Sequence, residues 1–255
     1  MLQDSHIHLE HVKDSSVMES ILAKAPERRV KRFFCNAASP DDWDLVSELA
    51  RAGDTIVPFY GIHPWKVDEI KDGWYEELKK RLEVRPVGVG EVGLDHCKNR
   101  PDHDLQKGIF LRQLDLAISL DLPVAIHCVS AWETMLEELR KRRAKKARMM
   151  FHLFSGSTEV LSELLGMGAF ISFSFGISEG GSRRAREAFQ VTPLNRILLE
   201  TDYPYIQKPF KENVPGADDY FDRLGKLYKL AAELKGINEE KLEKAVWENG
   251  SIFMC

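Results

Sequence analysis

Short runs rich in β-branched and aromatic residues recur along the chain at 2–8 (LQDSHIH), 30–36 (VKRFFCN), 55–61 (TIVPFYG), 86–93 (PVGVGEVG), 123–129 (PVAIHCV), 148–154 (RMMFHLF), 169–175 (AFISFSF) and 196–202 (RILLETD). Between them lie segments whose apolar residues return every three or four positions. DDWDLVSELARAG, DGWYEELKKRLEV, DLQKGIFLRQLDLAISLD, AWETMLEELRKRRA and TEVLSELLGMG all have this spacing of a helix with one buried face. Strands that alternate with helices imply a parallel sheet. Eight such units predict an α/β fold of the (β/α)8 TIM barrel type, with residues 1–255 forming a single barrel domain. An open doubly wound sheet permits the same alternation, but no G-x-G-x-x-G or P-loop follows any strand. Residues 217–250 read as one or two closing helices, broken at KGIN.

The strands are interrupted by polar side chains, and those side chains share a location. His6 and His8 end the first run, His63 follows the third, Glu91 ends the fourth, His127 lies on the fifth, His152 on the sixth, and Asp202 closes the eighth. All fall at or near strand C-termini, the face on which barrels build their sites. Taken singly, each histidine reads as an ordinary rim residue; taken together they read as one ring. The His6-x-His8 spacing turns both imidazoles to one side of a strand, where they can share an ion. Neutral imidazole nitrogens with carboxylate oxygens suit zinc and other first-row divalent ions. Glu91 is then a buried carboxylate made tolerable by cations, and it is expected to bridge two of them. His11, His96 and His103 read as loop residues outside this ring.

Composition narrows the picture further. A hydrophobic fraction of 44% supports a substantial core, and a net charge of −4 gives no general attraction to polyanions, so any nucleic-acid contact must be local. Four cysteines without a C-x-x-C pair suit reduced thiols. MLQDSHIHLE has neither the basic nor the apolar region of a leader, and no apolar stretch nears the roughly 18 residues of a span, so a soluble cytoplasmic protein without membrane contact is expected.

The motifs DSHIHLE, GIHPW (61–65), GEVGLD (90–95), PVAIHC (123–128), FHLFSGS (151–157) and LLETDYPY (198–205) resemble the TatD family of metal-dependent hydrolases, a branch of the amidohydrolase superfamily. The resemblance implies a (β/α)8 barrel with a two-metal site and phosphodiester hydrolysis, often of DNA. By it, His6, His8, Glu91 and Asp202 would hold one divalent ion, and Glu91, His127 and His152 a second. The ions would be zinc, magnesium or manganese. Asp202 would also orient or deprotonate the attacking water, and His63 would contact substrate phosphate or help hold a further ion. The same chemistry follows from the residues, since two cations activate a water and clamp phosphoryl oxygens without a protein nucleophile.

Three motifs depart from the family pattern. The Arg-Gly-Lys-x-Asn-x-Pro loop after strand eight is replaced by YPYIQKPFKENVPGADDY, in which Lys208, Lys211 and Asn213 are partial substitutes. The Ser-Arg-Asp after the strand-five histidine is reduced to Ser130 without an arginine, and Ile252 stands in the arginine position of Asn-x-x-Arg. Each lost arginine removes a bidentate phosphate contact. GGSRRAR (180–186) opens a helix on the site side, where free N–H groups and Arg183 or Arg184 could hold phosphate; otherwise it is a solvated helix start. RKRRAKKAR (140–148) falls on the opposite face and reads as solvated. Trp65, Trp132, Tyr203 and Tyr205 adjoin site motifs and are either base-stacking platforms or pocket walls.

The expected function is therefore a TatD-type deoxyribonuclease, with exonucleolytic action one form of it. DNA or a small phosphodiester is the partner, and the chain is a monomer or weak oligomer. The alternatives are a bimetal amidase, esterase or phosphatase of a small metabolite, and a catalytically silent metal-stabilised scaffold.

Overall fold

The computed structural model describes residues 1–84, 86–142, 147–205 and 216–255. Eight parallel strands pair in chain order: β1 (Leu2–Ile7), β2 (Val30–Asn36), β3 (Ile56–Tyr60), β4 (Gly88–Asp95), β5 (Pro123–Val129), β6 (Arg148–Phe151), β7 (Phe170–Phe173) and β8 (Ile197–Leu199). Helices alternate with them: α1 (Ser15–Lys24), α2 (Trp43–Ala52), α3 (Trp74–Arg81), α4 (His103–Leu120), α5 (Trp132–Lys141), α6 (Thr158–Gly166), α7 (Arg183–Val191) and α8 (Ala217–Lys235), followed by α9 (Glu239–Met254). The predicted α/β (β/α)8 barrel is the fold found. None of these helices is long and apolar enough to cross a membrane.

The seam between β1 and β8 is closed just beyond the last strand. Asp202 N–H donates to the His6 carbonyl (3.0 Å) and His8 N–H to the Tyr203 carbonyl (2.8 Å). Asp4 reinforces the seam: its buried carboxylate accepts from Thr201 N–H (2.9 Å), the Thr201 hydroxyl (2.5 Å) and the Tyr220 hydroxyl of α8 (2.8 Å). At the other end α9 acts as a plug. Asn249 donates to the carbonyls of Leu194 and Ile197, and Phe253 meets Phe34 of β2, Phe59 of β3 and Phe170 of β7 at ring separations of 5.9–6.0 Å. The barrel is filled from its N-terminal end, and its C-terminal end is left for chemistry.

Strand ends differ from the sequence expectation where the ring residues lie. β6 stops at Phe151 and β8 at Leu199, because Leu153 (φ 42) and Asp202 (φ 57) take positive φ and turn the chain out of the ladder. β4 instead runs on to Asp95, so Glu91 lies mid-strand, beside an irregularity in the β4–β5 register between Val89 and Val92.

Glycines on either side of Glu91 make this possible. A Cβ on Gly90 would press on Ala125 Cβ and Asn36 Oδ1 (2.8 and 2.9 Å), and one on Gly93 (φ 152) would overlap the His127 carbonyl oxygen. Gly93→Ala is expected to cost at least about 2 kcal/mol, from left-handed strain together with displaced β5 backbone. Urea unfolding measures this, and a loss under about 0.5 kcal/mol would mean that the strands are free to spread.

Asp4 has a pH consequence. Burial pushes its carboxyl up to about 7, against the hydrogen bonds from Thr201 and Tyr220, from an ordinary value of 3.8. Between those values the folded chain holds a proton that the unfolded chain has lost. Its contribution is therefore complete below pH 3.8 and is lost as pH rises to about 7. Asn cannot ionise, so Asp4→Asn gains stability relative to wild type as pH rises, by up to about 4 kcal/mol across that window. Urea titrations of both proteins at pH 4.5, 6 and 7.5 in chelator read the difference; a gap independent of pH would show Asp4 ionised throughout.

Candidate metal centre

Glu91 lies at the centre of the C-terminal mouth, and its two oxygens face different partners. Oε2 is 3.3 Å from His6 Nε2 and 3.4 Å from His8 Nε2, and those nitrogens are 3.1 Å apart. Oε1 is 2.9 Å from His127 Nδ1, 3.0 Å from His152 Nε2 and 3.3 Å from His63 Nε2. Asp202 Oδ1 joins the first side, 3.5 Å from His8 Nε2 and 3.9 Å from His6 Nε2. All seven side chains are buried. Three ligand-type triples result: His6, His8 and Glu91; His6, His152 and Asp202; His63, Glu91 and His127. The ring expected from sequence is thus assembled, though His152 stands beside His6 and Asp202 as well as on the Glu91 Oε1 side.

The donor set fits divalent ions. Ligands about 2.0–2.1 Å from a tetrahedral centre lie about 3.3–3.4 Å from one another. Glu91 Oε2 has that spacing from His6 and His8, and the two imidazole nitrogens are slightly closer, at 3.1 Å. Burial alone would push the Glu91 carboxyl up, but the His152, His63 and His6 imidazoles and the His127 hydrogen bond hold it well below the carboxylate range. Asp202, also buried, is held low by its hydrogen bond to His8 and by the His152, His8 and His6 imidazoles. Two anions therefore face the nitrogens.

A further set of carboxylates lies behind three of the histidines. His8 Nδ1 is 3.1 Å from Glu10, which keeps a proton on Nδ1 and turns Nε2 to the centre. His152 Nδ1 lies 3.3 Å from Glu200, at ion-pair distance but outside hydrogen-bond geometry, and its Nε2 also faces the centre. His127 is reversed: Nε2 faces Asp95 Oδ2 at 3.3 Å, which leaves Nδ1 to the centre. His63 is different again. Its Nδ1 accepts the Trp65 backbone N–H (3.1 Å), so its Nε2 carries a proton toward Glu91. Burial lowers His63 to about 4 and keeps it neutral, which places it as a hydrogen donor toward Glu91 in this arrangement.

The sequence reading missed Asp4, Glu10, Asp95 and Glu200. A signal was present for Glu10: Asp4, His6, His8 and Glu10 follow one another at the two-residue period of a strand face. His11, expected apart, flanks the centre; its ring stacks on His8 at 5.4 Å and bridges Asp42 and Tyr205.

The substrate candidates are placed unevenly. Trp65 (42% exposed) and Tyr205 (49%) border the centre openly, whereas Tyr203 (4%) is buried against Tyr220, which suits the wall alternative over an open platform. Trp132 packs on Phe151 and Phe154 as wall. Arg183 and Arg184 are exposed at the start of α7, Arg183 is paired with Glu187 (3.3 Å), and among the described residues no hydrogen bond or ion pair links either to the ring. Ile252 is exposed on α9, at the end away from the centre. Lys208, Lys211, Asn213 and residues 143–146 of the basic run lie outside the described residues.

Comparison with known proteins agrees with this geometry. The family described as TatD related DNase matches residues 3–253.

The chain belongs to the TatD-related DNase family.

It is a metal-dependent hydrolase of TatD type. The metal-dependent hydrolase YabD of Bacillus subtilis (strain 168) is 28% identical over 98% of this chain and 97% of its own. The 3'-5' ssDNA/RNA exonuclease TatD of Pantoea ananatis (strain LMG 20103) is 29% identical over 80% of this chain and 79% of its own. Among solved structures, the TatD homologue YjjV of Escherichia coli K12 superposes with a TM-score of 0.87 at 24% identity, covering 99% and 97% of the two chains, which establishes the shared TatD barrel fold.

Proposed function

We propose that this TatD family member is a deoxyribonuclease that hydrolyses phosphodiesters, trimming single strands from an end, with two divalent ions. The observation that carries the reading is the division of Glu91: one oxygen faces His6 and His8, the other His127 and His152. His6, His8, Glu91 and Asp202 would hold one ion, and Glu91, His127 and His152 the other. Bound there, the ions supply a water activated near neutral pH and positive charge for the phosphoryl oxygens.

The chain's own groups do the rest. Asp202, ionised and 3.5 Å from His8, takes the proton of the attacking water. His63 presents its Nε2 proton to a phosphoryl oxygen and strengthens that contact as charge develops. Glu10 and Asp95 hold the imidazoles of His8 and His127 in the required tautomers, and the Glu200 carboxylate lies 3.3 Å from His152 Nδ1. The Pantoea ananatis relative, described as a single-strand exonuclease, supports a nucleic-acid substrate. The arginine missing beside Ser130 favours the second reading, a bimetal esterase, amidase or phosphatase of a small metabolite.

Metal-stripped protein reconstituted in turn with Mg²⁺, Mn²⁺ and Zn²⁺ is to be assayed on single-stranded DNA, duplex DNA and a chromogenic phosphodiester. Metal-dependent cleavage of DNA is expected. Turnover of a small ester or amide with DNA untouched would transfer the chain to the second reading.

A further inference from the structure

The connection between β4 and α4 brings one arginine to the rim of the centre. Arg100 lays its guanidinium carbon 3.6 Å from the centroid of the Trp65 ring. Trp65 is itself anchored twice, by its backbone N–H to His63 Nδ1 (3.1 Å) and by its indole N–H to Asp95 Oδ2 (2.6 Å). Its ring lies 4.9 Å from the His63 ring and 6.2 Å from that of His127. The platform is therefore built onto two residues of the centre.

Arg100 is held in place by stacking and by its nearness to Asp95, with no hydrogen bond to the described residues. Its Nε is 3.5 Å from Asp95 Oδ2, outside hydrogen-bond geometry, and among the described residues no hydrogen-bond partner meets that atom. Asp95 is already occupied by His127, Trp65 and the Cys97 N–H. Stacking fixes the guanidinium plane, and its side chain remains 30% exposed. A planar cation with free N–H groups, rigid beside a neutral imidazole donor, matches a phosphate in the bidentate manner that lysine does not reproduce. The strand-five motif, where the family has an arginine, has Ala131 here.

We infer that Arg100 and Trp65 form a subsite for the strand flanking the bond that is cut. The guanidinium takes the neighbouring phosphate, and an unstacked base lies against the guanidinium and exposed indole. Stacking of this kind needs a base free of its duplex, so the subsite selects single strands. This rests on the nuclease reading above.

The test compares metal-loaded wild type with Arg100→Lys and Arg100→Met on a single-stranded thymidine oligonucleotide and on a small chromogenic phosphodiester, which has no flanking nucleotide. Arg112→Ala, removed from the surface beside Trp74 and Tyr75, is the control and is expected to match wild type on both. For the Arg100 variants, KM on the oligonucleotide is expected to rise about tenfold with lysine and further with methionine, with kcat changed less than about threefold. That penalty exceeds the one on the small diester by about tenfold, and the slope of log KM against log salt falls by about one for methionine. Equal penalties on the two substrates, or a KM within about twofold of wild type, would overturn the subsite and leave the nuclease reading standing. A wild type that cleaves no oligonucleotide while turning over a small ester or amide overturns both.

Discussion

Glu91→Gln is expected to abolish tight binding of at least one divalent ion and to lower turnover by roughly a thousandfold or more. The change keeps size and shape, so the effect isolates charge. A carboxylate offers acceptors from both oxygens, and here the two oxygens meet nitrogens from opposite sides. The amide leaves one side with an NH2 group, which has no lone pair to offer a cation and points its N–H dipoles at it, so that side loses its ligand. In the proposed two-ion site the amide would also withdraw the anion that offsets both cations, in a buried place where their mutual repulsion is least screened. The measurement is metal content per chain after dialysis against a weak chelator, beside kcat. Two ions retained with turnover within about tenfold would show that Glu91 is no bridge.

How much of this was legible in the sequence depends on which force fixed each residue. The barrel was legible because strand and helix periods alternate over the whole chain and each helix carries one apolar face. The ring was legible because a histidine or acid inside an apolar run stands out. Strand ends were not, where function overrides propensity: the polar runs at His152 and Asp202 read as strand, but the backbone turns at Leu153 and Asp202 and presents these side chains to the mouth. The outer carboxylates escaped for another reason. Glu200 reads as an ordinary strand residue, and only the folded chain brings it to His152. Nor did sequence show that His63 differs from its neighbours. That depends on one backbone N–H, from Trp65, meeting one ring nitrogen. The plug made by Phe253 was equally hidden, because its partners come from β2, β3 and β7, which only the closed sheet brings together.

Asp202→Asn is expected to lower kcat by about three to four orders of magnitude with the fold intact. Two features make it a clean variant. Asp202 sits at φ 57, a conformation that asparagine accepts as readily as aspartate, and its backbone N–H, which closes the barrel on the His6 carbonyl, is untouched. What changes is basicity. The native carboxylate is held ionised among the His8, His152 and His6 imidazoles and can accept a proton, whereas an amide oxygen cannot. Asp202 also serves as a ligand in the proposed site, so a loss of activity alone would leave base and ligand roles confounded. Metal content separates them: asparagine can still offer an oxygen, and retention of both ions with turnover lost assigns the effect to proton transfer. Loss of one ion in parallel with activity would reduce Asp202 to a ligand. Full activity in the variant would mean that hydrolysis runs through another base, and the role assigned here would fall.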